Sequence, residues 1–192
     1  EATVFSDEAI PVHVPEFMSK IVATVTHAAR ESSHINQRSG VSVRVTVANY
    51  ESLIAGAARR TLQSGESTVV PRVSDLSAVL ASTAGKIEVE SLDDGREFEI
   101  IQYLIKQSIL EVFKEETDQT LCTGVLQAFT EGAVINAGDD IASETYMQWL
   151  KEIPSFLPLL KSLGMTDVDL VSSSLVASGI EFILEGLHLT TA

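Results

Sequence analysis

Two arginines, Arg38 and Arg44, bracket a glycine turn in Asn36-Gln37-Arg38-Ser39-Gly40-Val41-Ser42-Val43-Arg44, and Val45-Thr46-Val47-Ala48-Asn49-Tyr50-Glu51 follows without a break. Gly40 and a Ser N-cap at position 42 predict that a helix starts here. The N-terminal end of a helix already carries partial positive charge. An exposed cation there costs about 0.3–1 kcal/mol unless an anion shares the spot. A phosphate at this helix start would be held by the guanidinium groups and by free backbone N–H groups together. Residue type and position thus predict an anion-sensing arginine. The plainer reading of Arg44 is a surface ion pair, worth ~0–1 kcal/mol. The other arginines read as structural. Arg72 is expected to pair with Asp75 or a neighbouring helix. Arg59 and Arg60 sit late in their helix, where the dipole favours cations.

The elements that would position these residues are helical. Pro15 opens a helix to about Arg30, with Phe17, Met18, Ile21, Val22, Val25, Ala28 and Ala29 at helical spacing. A second helix runs from Ser42 or Val43 to Gln63, stopped by Ser64-Gly65. Its expected buried stripe is Val47, Tyr50, Leu53, Ile54, Ala57, Ala58 and Leu62. The β-branched, alternating start of that segment competes as a strand, but the 3.6-residue period continues unbroken beyond it. A short helix follows Pro71 to about Ala81 or Ser82. Lys86–Glu90 and Arg96–Glu99 are expected as extended pieces around a Leu92-Asp93-Asp94-Gly95 turn, with Phe98 also readable as the start of the next helix. That helix runs to about Glu116 on Phe98, Ile101, Leu104, Ile105, Ile109, Val112 and Phe113. Shorter helices are expected over Leu121–Thr130 and up to Leu150. Pro154 and Pro158 break the next stretch, and Val168–Leu187 closes the chain. The fold class is mainly α, with room for one small β-hairpin.

The chain has 192 residues, 45% hydrophobic and 21% charged, with a net charge of −14. That composition belongs to a folded protein with a real core. The acidity argues against nucleic-acid partners and acidic membranes, which need clustered positive charge. Residues 1–90 hold 10 acids and 8 bases, whereas residues 91–192 hold 17 acids and 5 bases. The charge shift and the Asp-Asp-Gly turn place a domain boundary near residues 90–97, giving domains 1–95 and 96–192. No apolar run reaches the ~18–20 residues of a membrane span. Cys122 is single, is expected as a small core residue, and fits a reducing, cytoplasmic setting. The start at Glu1-Ala2, without an initiator Met, fits a piece of a longer protein.

Enzymatic motifs are missing from the sequence. It contains neither a GxxxxGK phosphate loop nor a glycine-rich dinucleotide fingerprint. His13, His27, His34 and His188 are scattered without a second ligand at metal spacing, so no metal site is expected. Ser172-Ser173-Ser174 lacks a glycine elbow and reads as a cap or solvent-facing helix. Asp93-Asp94 and Asp139-Asp140 read as turn and cap residues. On these residues the chain alone is not a complete enzyme.

Arg-Ser-Gly-Val-Ser-Val-Arg at 38–44, followed by Val-Thr-Val-Ala-Asn-Tyr-Glu-Ser-Leu-Ile-Ala-Gly-Ala-Ala-Arg-Arg, resembles the lid region of AAA+ ATPases of the magnesium chelatase group. Val12-His13-Val14-Pro15-Glu16-Phe17, Val70-Pro71-Arg72-Val73-Ser74-Asp75-Leu76, Gly85-Lys86-Ile87-Glu88 and Glu181-Phe182-Ile183-Leu184-Glu185-Gly186-Leu187-His188 fit the same pattern, while residues 100–170 carry little of it. The resemblance implies a helical AAA+ lid bundle followed by a C-terminal helical extension. It further implies an N-terminal α/β domain of the same parent chain that carries the Walker motifs and binds ATP and Mg2+. Arg44 matches the sensor-2 arginine of such lids, which contacts nucleotide phosphates and couples hydrolysis to lid movement. Arg38 would add a phosphate or inter-subunit contact. The parent would work as a homo-oligomeric ring, a hexamer, with a partner protein of a chelatase complex or in a chaperone role. The alternative is a stand-alone acidic helical module that binds no nucleotide and docks its acidic half on a basic partner.

Overall fold

The computed structural model describes residues 10–36, 40–89 and 96–191. Its described residues form α1 (Glu16–Glu31), α2 (Val43–Ser64), α3 (Ser77–Ala84), α4 (Glu97–Glu116), α5 (Cys122–Thr130), α6 (Ser143–Glu152), α7 (Phe156–Ser162) and α8 (Ser173–Thr191). Short 3-10 turns at Val73–Leu76, Gln119–Leu121 and Asp169–Val171 lead into α3, α5 and α8. The fold is mainly α, as expected, and no strand occurs among the described residues. Two isolated bridges take the place of a hairpin: Val12 beside Val69, and Ile35 antiparallel to Val89. The segment after Lys86 therefore pairs backward with residues 35–36, and Asn36 N–H donates to Glu88 O at 2.8 Å. The expected second arm, Arg96–Glu99, enters α4 at Glu97. The Asp93-Asp94-Gly95 turn lies outside the described residues.

Local chemistry sets the helix ends. Pro15 precedes α1, where its missing N–H costs nothing. Ser42 caps α2, and Gly65 ends it at φ 70, a left-handed conformation that glycine adopts without Cβ strain. Pro158 falls in the first turn of α7, where the N–H groups have no intrahelical partner, so it is tolerated there and does not break the helix.

Elements from both sides of position 95 enter one hydrophobic cluster. Helix α1 packs on α4 and α2, α4 on α8, and α6 on α8. At the centre, Phe17 of α1 stacks on Phe182 of α8 with centroids 4.5 Å apart, and Phe113 of α4 meets Phe182 edge-on at 5.8 Å. Cys122 is buried in the core, where burial first and the nearby Asp118 second push its thiol pKa up.

The buried face of α2 differs from the expected one. Val45, Asn49, Leu53, Ala57, Arg60 and Thr61 are buried, whereas Val47 and Leu62 are 54% and 68% exposed. Two of the polar residues that the helix turns inward find partners through their donors. Asn49 donates to Thr83 Oγ1 at 2.8 Å, and Arg60 reaches Asp75.

Close approach of α8 to α4 depends on Gly186. A Cβ there would collide with the ring of fully buried Phe113. Overpacking of this kind costs ~1–3 kcal/mol, against a helix-propensity gain of up to ~1 kcal/mol. Gly186→Ala is expected to lower stability in denaturant unfolding. Gly179→Ala should cost less, since the atoms it meets are the flexible ends of Leu160 and Met165. The reverse order would contradict this packing.

Candidate functional site

Arg44 stands in the first turn of α2 and is exposed. Gly40 (φ 67) turns the chain toward the helix, and Arg30 at the end of α1 donates from Nε to Val41 O at 3.0 Å, which fixes the approach. The Arg44 N–H donates to Ser42 Oγ at 3.2 Å, and the Val45 N–H to Ser42 O at 2.9 Å. Those two backbone donors are already used, so an arriving anion would depend mainly on the Arg44 side chain. Among the described residues that side chain has no ion pair or hydrogen bond. The plainer surface ion pair would thus need a carboxylate other than those of the described residues as they stand here. Val43, 67% exposed, and Val47 flank Arg44 on the same surface. Arg38 lies outside the described residues.

The other arginines split. Arg59 is exposed, whereas Arg60 and Arg72 are buried in one ionic cluster. Arg60 grips Asp75 as a fork, Nε to Oδ1 at 3.2 Å and Nη2 to Oδ2 at 2.9 Å, and lies 3.3 Å from Glu66. Arg72, fully buried, pairs with Glu66 at 2.8 Å and approaches Glu181 of α8 at 3.7 Å. It also donates to Ile141 O at 2.8 Å and to Ser143 Oγ, and its guanidinium lies 5.1 Å from the Tyr146 ring centroid. Only the Arg72 backbone N–H goes to Asp75. The expected Arg72–Asp75 bridge is thus replaced by Arg60–Asp75, and Arg72 takes the neighbouring-helix option. Tyr146 completes the cluster by donating to Glu181 Oε1 at 2.6 Å, and the Ser74 N–H donates to Glu181 Oε2 at 3.0 Å. The 66–76 segment is therefore tied to α2, α6 and α8 at once.

The carboxylates of this cluster respond in opposite directions. Burial pushes Glu66 up, but hydrogen bonds from Ser143 and the charges of Arg72 and Arg60 outweigh it and hold the carboxyl below its ordinary value. At Glu181 burial dominates, and Tyr146, Ser74 and Arg72 offset it only in part, so its pKa is raised. Stability contributed by Glu66 is in place above the ordinary carboxylate pKa and is lost as pH falls through the depressed value. Stability linked to protonated Glu181 is in place below the ordinary value and is lost as pH rises through the raised one. Thermal unfolding across pH should therefore show a maximum. Its acid limb is expected to shrink in Glu66→Gln. Part of that limb persists, because Asp118 and Asp169 are also held low by the side chains and N–H groups of Thr120 and Thr166. An acid limb unchanged in Glu66→Gln would contradict the assignment.

Glu66, Ser143, Tyr146 and Glu181 were not identifiable as a site from the sequence. The one local signal was the run of charges at Arg60, Glu66, Arg72 and Asp75 around the apolar Val69-Val70-Pro71. Comparison with protein-family models, with curated proteins and with solved structures finds no match to this chain.

Proposed function

We propose that this chain is the C-terminal lid and helical extension of a magnesium chelatase-like AAA+ ATPase. In this reading a Walker-bearing domain of the parent chain binds ATP and Mg2+, and Arg44 senses the phosphates. The observation that carries the proposal is Arg44 itself: a cation exposed and unpaired among the described residues, at a helix start where its charge is unfavourable without an anion. Exposed Val43 and Val47 beside it support a face that another domain covers. Arg60, sixteen residues further along α2, is locked to Asp75 and Glu66, so movement at the Arg44 end would be passed to the ionic cluster and to α8. That linkage suits coupling of hydrolysis to conformational change in a hexameric ring, for metal insertion or for a chaperone task.

One arm of a nucleotide site provides few of its contacts. Titration calorimetry of MgATP into the isolated chain should therefore give no saturable binding at micromolar concentrations. The chain joined to its Walker-bearing domain should bind. Tight binding by the isolated chain would overturn the reading.

A further inference from the structure

A cavity of about 400 Å³ lies between the Val73–Leu76 turn, the segment following α5, and α8. Phe129, Ile135 and Leu184 give it apolar walls, and Glu181, Glu185 and His188 line it at successive turns of α8. Its volume falls in the range of small-ligand sites, which combine apolar lining with a few convergent polar groups. The electrostatics beneath it are unbalanced. The cluster sets three carboxylates with buried side chains (Glu66, Asp75, Glu181) against two guanidiniums (Arg60, Arg72). Arg60 is committed to Asp75 and Glu66, and the short contact of Arg72 is to Glu66 at 2.8 Å. Glu181 accepts hydrogen bonds from Tyr146 and the Ser74 N–H, but among the described residues its one ion pair is the longer 3.7 Å approach of Arg72, although it is just 4% exposed. A buried carboxylate without a close cation is costly. Ser74 also lines the cavity, and its hydroxyl oxygen, shielded from solvent, faces the Glu181 carboxylate.

We propose that this cavity binds an alkylammonium group, a cationic head on a short apolar stem, supplied by a lysine side chain of a partner or by a free amine. The head lies among the Glu181 and Glu185 carboxylates and the Ser74 hydroxyl, whose acceptors match the three donors of an ammonium. The stem lies against Phe129, Ile135 and Leu184. The strongly acidic second half of the chain draws such cations toward the site. This site is separate from the phosphate-sensing one, because Arg44 is about 24 Å along α2 from Arg60 at 1.5 Å per residue.

The single Trp149 reports on the site, since its ring meets that of Tyr146 edge-on at 4.7 Å and Tyr146 donates to Glu181. Hexylamine hydrochloride is titrated at constant ionic strength, with hexanol as the neutral control. A lysine-bearing peptide is titrated in a second arm against its acetyl-lysine form. A saturable fluorescence change is expected with hexylamine or the lysine peptide, absent with hexanol and acetyl-lysine. Saturation by hexylamine alone identifies a free amine as the source, and saturation by the peptide identifies a partner lysine. Glu185→Gln at the half-buried wall and Ala137→Leu at the exposed wall leave the buried cluster intact. Each should weaken the response at least tenfold. No saturable response in either arm, an equal response to hexanol, or a response undiminished in both variants would overturn the proposal.

Discussion

Arg72→Ala is expected to lower the stability of the folded chain by about 3–5 kcal/mol, the cost of removing one partner from a buried ion pair. For a chain of this size that corresponds to a fall in Tm of roughly 6–20 °C. The cost comes from the groups left behind. Without Arg72, Glu66 keeps its hydrogen bonds from Ser143 but only one ion pair, to Arg60 at 3.3 Å, and Glu181 loses its one ion pair among the described residues. Ile141 O and Ser143 Oγ lose a charged donor, and Tyr146 loses the guanidinium beside its ring. Arg72→Met restores the volume of the stem but not the charge, so it should recover only a small part. The double variant Arg72→Met/Glu181→Gln should recover more, since it removes the orphaned carboxylate along with its partner. That coupling is measurable by a double-mutant cycle in denaturant. A cost below about 1 kcal/mol for Arg72→Ala would mean that the cluster does not hold α2, α6 and α8 together.

Much of the fold was legible because helix ends are written locally. Pro15, Ser42 and Gly65 mark the bounds of α1 and α2 within a residue or so. The course of α4 follows from its own apolar spacing. Burial on α2 was less legible. Periodicity assigned Val47 and Leu62 to the core, while the interior took Asn49 and Arg60, whose partners Thr83 and Asp75 lie 34 and 15 residues away. Most buried polar side chains need such a partner, and one-dimensional spacing does not show arrivals. The ionic cluster was hidden for the same reason. Ser143 is 71 residues from Arg72, and Ser178, which donates to Pro71 O at 2.6 Å, is 107 residues away. Arg44 was legible because its setting is local: a cap, a glycine turn and a helix start. What its guanidinium would meet in the proposed ATPase is not a local property.

Arg44→Ala is the second large effect, and it moves activity while sparing the fold. The side chain is exposed and unpaired among the described residues, so no hydrogen bond or ion pair to a described residue is lost. Removing a cation from the start of α2 should leave Tm unchanged or slightly raised, in line with ~0.3–1 kcal/mol of relieved dipole repulsion. A preorganised charged donor aimed at reacting phosphates is worth far more, since loss of one such group typically costs about 10²–10³ in turnover. Arg44→Lys keeps the charge without the two-point fork and should fall between the two. The deciding measurement is MgATP turnover at saturation by the protein that joins this chain to the Walker-bearing domain proposed for its parent, with and without Arg44→Ala, alongside the Tm of each. A loss of about 100-fold at unchanged Tm is the expected result, and equal turnover in the two proteins would contradict the role of Arg44 as the phosphate sensor.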